Sequence, residues 1–569
     1  MPSSADRRLF HQWRELSELV HRLRHSEPTA SNHALRQMVD ADPGGPLAPA
    51  LLLWLADNLV LESQFDQAVG VYQDLAGRYA ERSFGGRRWA GVAFEQEAAC
   101  HQALGRADEA VAAYRRALAE GGEQRSEALL RYRIGEVLEA AHRDAEAVDS
   151  YREAAATTDQ EPRTQAWTPD LARRAADRLE SNRAWVRPQP EALAAELTAA
   201  LATRDLDALR RLASPTHFSV GLVGSERSFT DAGPLLDLVR SHLADSTVVA
   251  NPSALQGSGG KRYLETRGWR GGLLADRALL LLSRTRDGFE WSGLGLTCLP
   301  RWTNGGPDVP DLPDEDPPNL SEGPTSTDQT PASLWMKAPW PAGECFRAGG
   351  IIGFSAQLAA FTAIAAPFGP LAWLVYAGLL ETASLSTPCG FGPGGLFYGQ
   401  PTTHVGIDEF AIDFSRFVQG VPLLLDAFGK PVLAVAEGVV MDVVAGIGTG
   451  DPTTENRVEI GHMSEAEALM AVIIGLTTGQ MSPPKYTSKY LHMAGPFQIP
   501  VSLGMFVKQG ARLGRVDDTG LSVSHHLHFS LHDRDLGGAS VRPTPLDRQN
   551  LEGFWDDGSC LASTNVPIP

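Results

Sequence analysis

The sequence predicts a multidomain chain: a helical repeat array first, a small α+β unit next, and an antiparallel all-β unit with helical insertions at the C-terminal end. Three observations carry this. A small-apolar unit recurs in the first part as Ala68-Val69 with Tyr72, Ala110-Val111 with Tyr114 and Ala147-Val148 with Tyr151, spaced by 42 and 37 residues. Residues 303–334 are Pro-rich and acidic (Asp308, Asp311, Asp314, Glu315, Asp316) and hold no Lys or Arg, so they read as an extended linker. Near the C-terminus, Ser524-His525-His526-Leu527-His528-Phe529 alternates as a strand does.

Bulk properties narrow the function classes. At 569 residues the chain has room for three or four domains. Acidic residues exceed basic ones, 69 to 50, and no Lys/Arg block stands out, which argues against nucleic acid as the main partner. The five cysteines form no CxxC and read as buried or incidental, with one bridge among Cys345, Cys389 and Cys560 as the alternative. The stretch from Met1 to Arg24 is charged and lacks the apolar core of a secretory signal peptide. Placement stays open between the cytoplasm and a membrane-anchored chain with its C-terminal unit in the periplasm.

The repeat region, 1–185, has a period close to that of the 34-residue tetratricopeptide repeat plus loop insertions. Each unit should be a helix pair, its small Ala admitting the neighbour and its Tyr filling the gap. Stacked units form a solenoid whose concave face binds a protein or peptide partner; a plain helical bundle is the alternative. In 186–300, Leu193, Leu197 and Leu201, then Leu206 and Leu209, mark two amphipathic helices. Strands are expected at 220–223, 278–282 and 289–296, the last two joined across Arg286-Asp287-Gly288. This unit is similar to the cone-shaped nuclear-transport-factor-like fold and shows no catalytic set, so it reads as a binding or spacer module.

The final unit, 335–569, has insertions at about 351–390 and 463–480. Residues 351–380 carry no charge and are long enough to span a bilayer. Lys337 and Arg347 precede them, a bias that would leave the N-terminal side in the cytoplasm. Pro367 and Pro370 interrupt the run, and a strand cannot pair with a sheet across a membrane. A soluble helical insertion is preferred, with membrane contact through 351–380 as the second reading.

Histidines dominate this unit. His526 and His528, two apart on a strand, share one face. Upstream lie His404, in Thr403-His404-Val405-Gly406, and His492, in Tyr490-Leu491-His492. Histidine, aspartate and a second histidine make a catalytic zinc set, three protein ligands with the fourth position left for water.

In this order the pieces resemble the lysostaphin/LytM-type zinc endopeptidases, which cut the peptide cross-links of bacterial cell walls. Gly429-Lys430-Pro431-Val432 through Gly438-Val439-Val440 is similar to that family's G-x-P-V-x-A-x-x-x-G-x-V strand pair. Val507 through Gly510 and Gly514, followed by Thr519-Gly520, is similar to its V-x-x-G-x-x-x-G…T-G turn, and Ala338-Pro339-Trp340 to a lead-in strand. The resemblance implies Zn²⁺ held by His404, His528 and an aspartate. Asp408 fits the spacing H-x-G-x-D; Asp413 fits a branch with nine residues from His to Asp and is preferred, because apolar Phe414 follows it where Glu409 follows Asp408. It further implies that His492 and His526 are catalytic, orienting water and the developing oxyanion, and that the substrate is a peptide of peptidoglycan. His525 reads as a bystander on the opposite face, and His462 as structural. The competing class is a non-catalytic scaffold whose repeats and degenerate peptidase domain bind partners.

Overall fold

Small residues at helix crossings and tyrosines across them set the N-terminal architecture. The computed structural model describes residues 3–120, 127–157, 168–215, 218–229 and 243–297 with short omissions, parts of 336–349, 412–416, 427–534 with short omissions, 539–541 and 561–562. The linker, the 351–380 segment, His404 and Asp408 lie outside the described residues. Among the described residues nine helices come first: α1 (Ser4–Ser26), α2 (Pro28–Ala41), α3 (Ala48–Leu61), α4 (Phe65–Arg78), α5 (Trp89–Ala103), α6 (Ala107–Ala119), α7 (Glu127–Ala140), α8 (Asp144–Ala156) and α9 (Thr168–Glu180). A short ribbon, β1 (Ser83–Phe84) with β2 (Arg87–Arg88), separates α4 from α5. The three repeated units fall on α4, α6 and α8, each pairing with the helix before it. Ala68, Ala110, Ala147 and the three tyrosines are all buried. Gly135 on α7 shows why the partner positions are small: a Cβ there would lie 2.5 Å from the Tyr151 ring.

The middle unit is a sheet backed by α10 (Pro190–Thr203) and α11 (Leu206–Leu212). Its strands are β3 (Phe218–Leu222), β4 (Ser225–Phe229), β5 (Val249–Ala250), β6 (Lys261–Arg267), β7 (Arg277–Thr285) and β8 (Gly288–Thr297), in the order β4-β3-β8-β7-β6-β5. Leu193, Leu197, Leu201 and Leu209 pack on it in a core of their own. The expected β7–β8 hairpin turns at Arg286-Asp287, as Thr285 pairs with Gly288.

The C-terminal unit contains β9 (Cys345–Gly349), β10 (Ile412–Arg416), β11 (Pro431–Leu433), β12 (Gly438–Val444), β13 (Asn456–His462), the inserted helix α12 (Glu465–Thr478), β14 (Tyr486–Met493), β15 (Phe506–Val507), β16 (Arg512–Arg515), β17 (Leu527–Asp533), β18 (Ala539–Val541) and β19 (Leu561–Ala562). Its main sheet runs β15-β12-β13-β14-β17-β10-β9-β19, antiparallel throughout, with β18 on β17. No helix among the described residues is long and apolar enough to cross a membrane.

The helical array does not stand apart from this sheet. One continuous core joins residues of α1 to α5 with Val439, Ile460, Val501 and Phe506. The indoles of Trp13 and Trp54 donate to the Gly504 and Leu503 carbonyls at 2.9 and 3.1 Å. Buried Arg24 donates to the Pro500 carbonyl at 3.0 Å and to Ser502 Oγ at 2.8 Å. Asp57 accepts from Tyr72 at 2.6 Å and also from Ser502. Segment 500–506 thus packs against α1 and α3.

Candidate metal centre

Strand register sets two of the candidate ligands, Asp413 and His528, opposite each other. On β10, Asp413 pairs in the antiparallel ladder with His528 of β17, and His528 pairs on its other side with Leu491 of β14. Directly opposite residues are the nearest cross-strand neighbours in such a ladder, with Cβ atoms about 5 Å apart. His492 follows Leu491 at a bulge: the pairs Val458–Tyr490 and Asn456–Met493 leave Arg457 facing two residues of β14. There His492 takes a left-handed φ of +58°, uncommon outside glycine, and the bulge re-aims its ring. The His492 ring centroid lies 4.7 Å from that of His526 and 6.0 Å from that of His528, and all three are buried.

A loop at 517–522 fixes two of these rings. His492 Nδ1 stands 2.6 Å from the Thr519 carbonyl, an acceptor, so this nitrogen carries the hydrogen and Nε2 is the acceptor of the neutral ring. His526 Nδ1 lies 3.3 Å from Ser522 Oγ. The loop is anchored in turn, since Asp517 N donates to the His492 carbonyl at 2.8 Å and Thr519 Oγ1 to the Met493 carbonyl at 2.9 Å. Gly520 has a φ of +84°, and a Cβ there would come within 3.0 Å of the Glu455 backbone nitrogen, so the Thr-Gly turn requires glycine.

Two other histidines play different parts. His462 hydrogen-bonds through both ring nitrogens, to the Glu437 carbonyl at 2.9 Å and Ser488 Oγ at 2.8 Å, and burial lowers its pKa to about 4. That is the structural role expected of it. His525 is no bystander: Nε2 lies 3.3 Å from Asp518, and its ring centroid is 4.7 Å from that of Phe428.

Asp517 and Asp518 escaped the sequence analysis. With His525 they form a buried group whose ligand-type atoms lie within 4.8 Å of one another. Burial, then the charge of Asp518, pushes the Asp517 carboxyl well above the usual carboxylate range. Burial also opposes ionisation of Asp518, but His525, Lys261 and Tyr263 outweigh it and hold that carboxyl low. Lys261, from the middle unit, also donates to the carbonyls of Asp518, Gly520 and Ser522. The adjacent acids before Thr519-Gly520 were a visible signal; Lys261 and Tyr263, more than 250 residues earlier, gave none.

The model of peptidase family M23 matches residues 416–543. Among solved structures, a zinc-containing peptidase from Vibrio cholerae is 23% identical over 26% of this chain and 33% of its own, with a TM-score of 0.16. The catalytic domain of the antimicrobial peptidase lysostaphin from Staphylococcus simulans is 20% identical over 22% of this chain and 66% of its own, with a TM-score of 0.14. A tetratricopeptide repeat protein from Parabacteroides merdae is 14% identical over 36% of this chain and 71% of its own, with a TM-score of 0.24. This chain thus spans about a third of the length of the Vibrio cholerae peptidase. No curated protein sequence matches it. Residues 416–543 match peptidase family M23 and follow N-terminal helices that resemble tetratricopeptide repeats.

Proposed function

We propose that the C-terminal unit is a zinc-dependent endopeptidase that hydrolyses peptide bonds in the stems or cross-links of peptidoglycan. The observation that carries this reading is the buried cluster of His492, His526 and His528, with Asp413 in register beside His528. Imidazole and carboxylate donors suit Zn²⁺, and His404, Asp413 and His528 would hold it, with Asp408 as the alternative carboxylate. Bound there, Zn²⁺ supplies a polarised water and a Lewis acid for the scissile carbonyl.

The chain's own groups do the rest. With Nδ1–H committed to the Thr519 carbonyl, His492 presents Nε2 as the acceptor for a proton of the attacking water. His526, beside it, donates to the carbonyl oxygen as negative charge develops there. Burial of all three rings keeps bulk water from screening these interactions. A protein or peptide partner of the repeats would use helical surface left free by segment 500–506.

Metal content of the full chain tests the reading, with wild type beside His404→Ala, Asp413→Ala, Asp408→Ala and His528→Ala. About one zinc per chain, lost with His404, His528 and Asp413 but kept in Asp408→Ala, is the expected pattern. Release of peptide fragments from purified peptidoglycan should follow the same pattern. Wild-type chain that binds no zinc when supplied with it returns the scaffold reading.

A further inference from the structure

The middle unit reaches into the wall of the peptidase centre. Lys261 on β6 is 1% exposed, and its ammonium donates to three carbonyls of one loop: Asp518 at 2.6 Å, Gly520 at 2.8 Å and Ser522 at 2.5 Å. Those are all the donors a lysine has. Two residues on, on the same face of β6, buried Tyr263 donates its hydroxyl to the Asp518 carboxylate. Between the gripped carbonyls lies Thr519, whose own carbonyl receives His492 Nδ1–H, and Ser522 stands against His526.

A buried ammonium is a poor choice for mere adhesion. Lysine is almost never fully buried unless its charge is satisfied, and well-packed apolar residues usually serve an interface as well or better. What the ammonium adds is direction: three carbonyls turned toward one point, which fixes the 518–519 and 520–521 peptide planes that flank the Thr519–Gly520 peptide. We propose that Lys261 and Tyr263 are positioning residues of the peptidase centre, holding loop 518–522 so that Thr519 sets the tautomer and orientation of His492. The middle unit is then part of the catalytic apparatus rather than a spacer. This deepens the endopeptidase reading and rests on it for its catalytic consequence.

The test uses the full chain as wild type, Lys261→Met and Tyr263→Phe; the second variant removes one hydroxyl and guards against misfolding in the first. Ring-nitrogen NMR of histidine-labelled, metal-free protein reads the tautomer of His492, assigned with His492→Gln. Wild type should show a single Nδ1–H form, and both variants a mixture. Peptidoglycan hydrolysis should lose about tenfold or more in kcat with KM little changed, the loss typical of an outer-shell partner. His492 signals unchanged in both variants overturn the proposal, whether or not the wild type hydrolyses anything. A shifted His492 signal in a chain that neither binds zinc nor cuts peptide upholds the positioning role and sinks the peptidase reading alone.

Discussion

The peptidase sheet is gripped at two places by the rest of the chain, and the grips differ in chemistry. At 500–506 the helical array supplies tryptophans, apolar side chains and a buried Arg24. At 518–522 the middle unit supplies a lysine and a tyrosine, and what they hold touches His492 and His526. The first contact adds hydrogen bonds to a large buried apolar core, and that burial is strong but indifferent to angle. The second is built from hydrogen bonds, weaker in net worth but directional. Damage to the first should unfold the protein; damage to the second should leave it folded and misaligned.

The largest effect is expected from Trp54→Ala. Trp54 is fully buried, and its loss leaves a cavity and an unanswered Leu503 carbonyl, so unfolding should become easier by about 3–5 kcal/mol, read as a fall in denaturation midpoint. Arg24→Met comes close behind. It strips Asp57 of the Arg24 charge beside it while Ser502 and the Pro500 carbonyl lose a donor, and about 3 kcal/mol should go. If either variant unfolds at the wild-type midpoint, the first contact is not the source of stability argued here.

Much of this could be read in the sequence because it follows from short-range pattern. The Ala-Val…Tyr repeats landed on α4, α6 and α8, and the H-x-H spacing marked two of the clustered imidazoles, because helix and strand periodicities fix which neighbours share a face. The grips were not legible. The sequence does not single out Trp13, Trp54 or Lys261, since nothing local says which surface a distant loop will cover. The left-handed turn of His492 was hidden for the same reason: it depends on a bulge set by the pairing of β13 with β14.

Tyr263→Phe sharpens the comparison from the other side. It should cost about 2 kcal/mol, since the lost bond is to an ionised carboxylate, while the catalytic loss exceeds what that destabilisation explains. Acid–base behaviour separates the grips next. Asp517 keeps its proton in the fold at pH values where the unfolded chain has released it. The folded state thus binds more protons, and stability should fall as pH rises from the ordinary carboxylate range toward the raised value, by about 1.4 kcal/mol per unit. Denaturant titrations across that window should show the slope in wild type and a flatter line in Asp517→Asn. Equal slopes would mean the proton sits elsewhere.

The smallest effect belongs to a charge pair that looks convincing by distance alone. Lys508 Nζ lies 2.6 Å from Glu18 and ties the peptidase unit to α1, in the same contact that Trp13 anchors. Both side chains are partly exposed, 43% and 32%, so water competes for each, and holding two long side chains in one geometry opposes the attraction. Lys508→Ala should cost no more than about 0.5 kcal/mol and should be insensitive to whether Glu18 is present. A double-mutant cycle in low and high salt checks this. A coupling well above that figure would mean the first grip, too, relies on direction, and the division between a contact that stabilises and a contact that aligns would not hold.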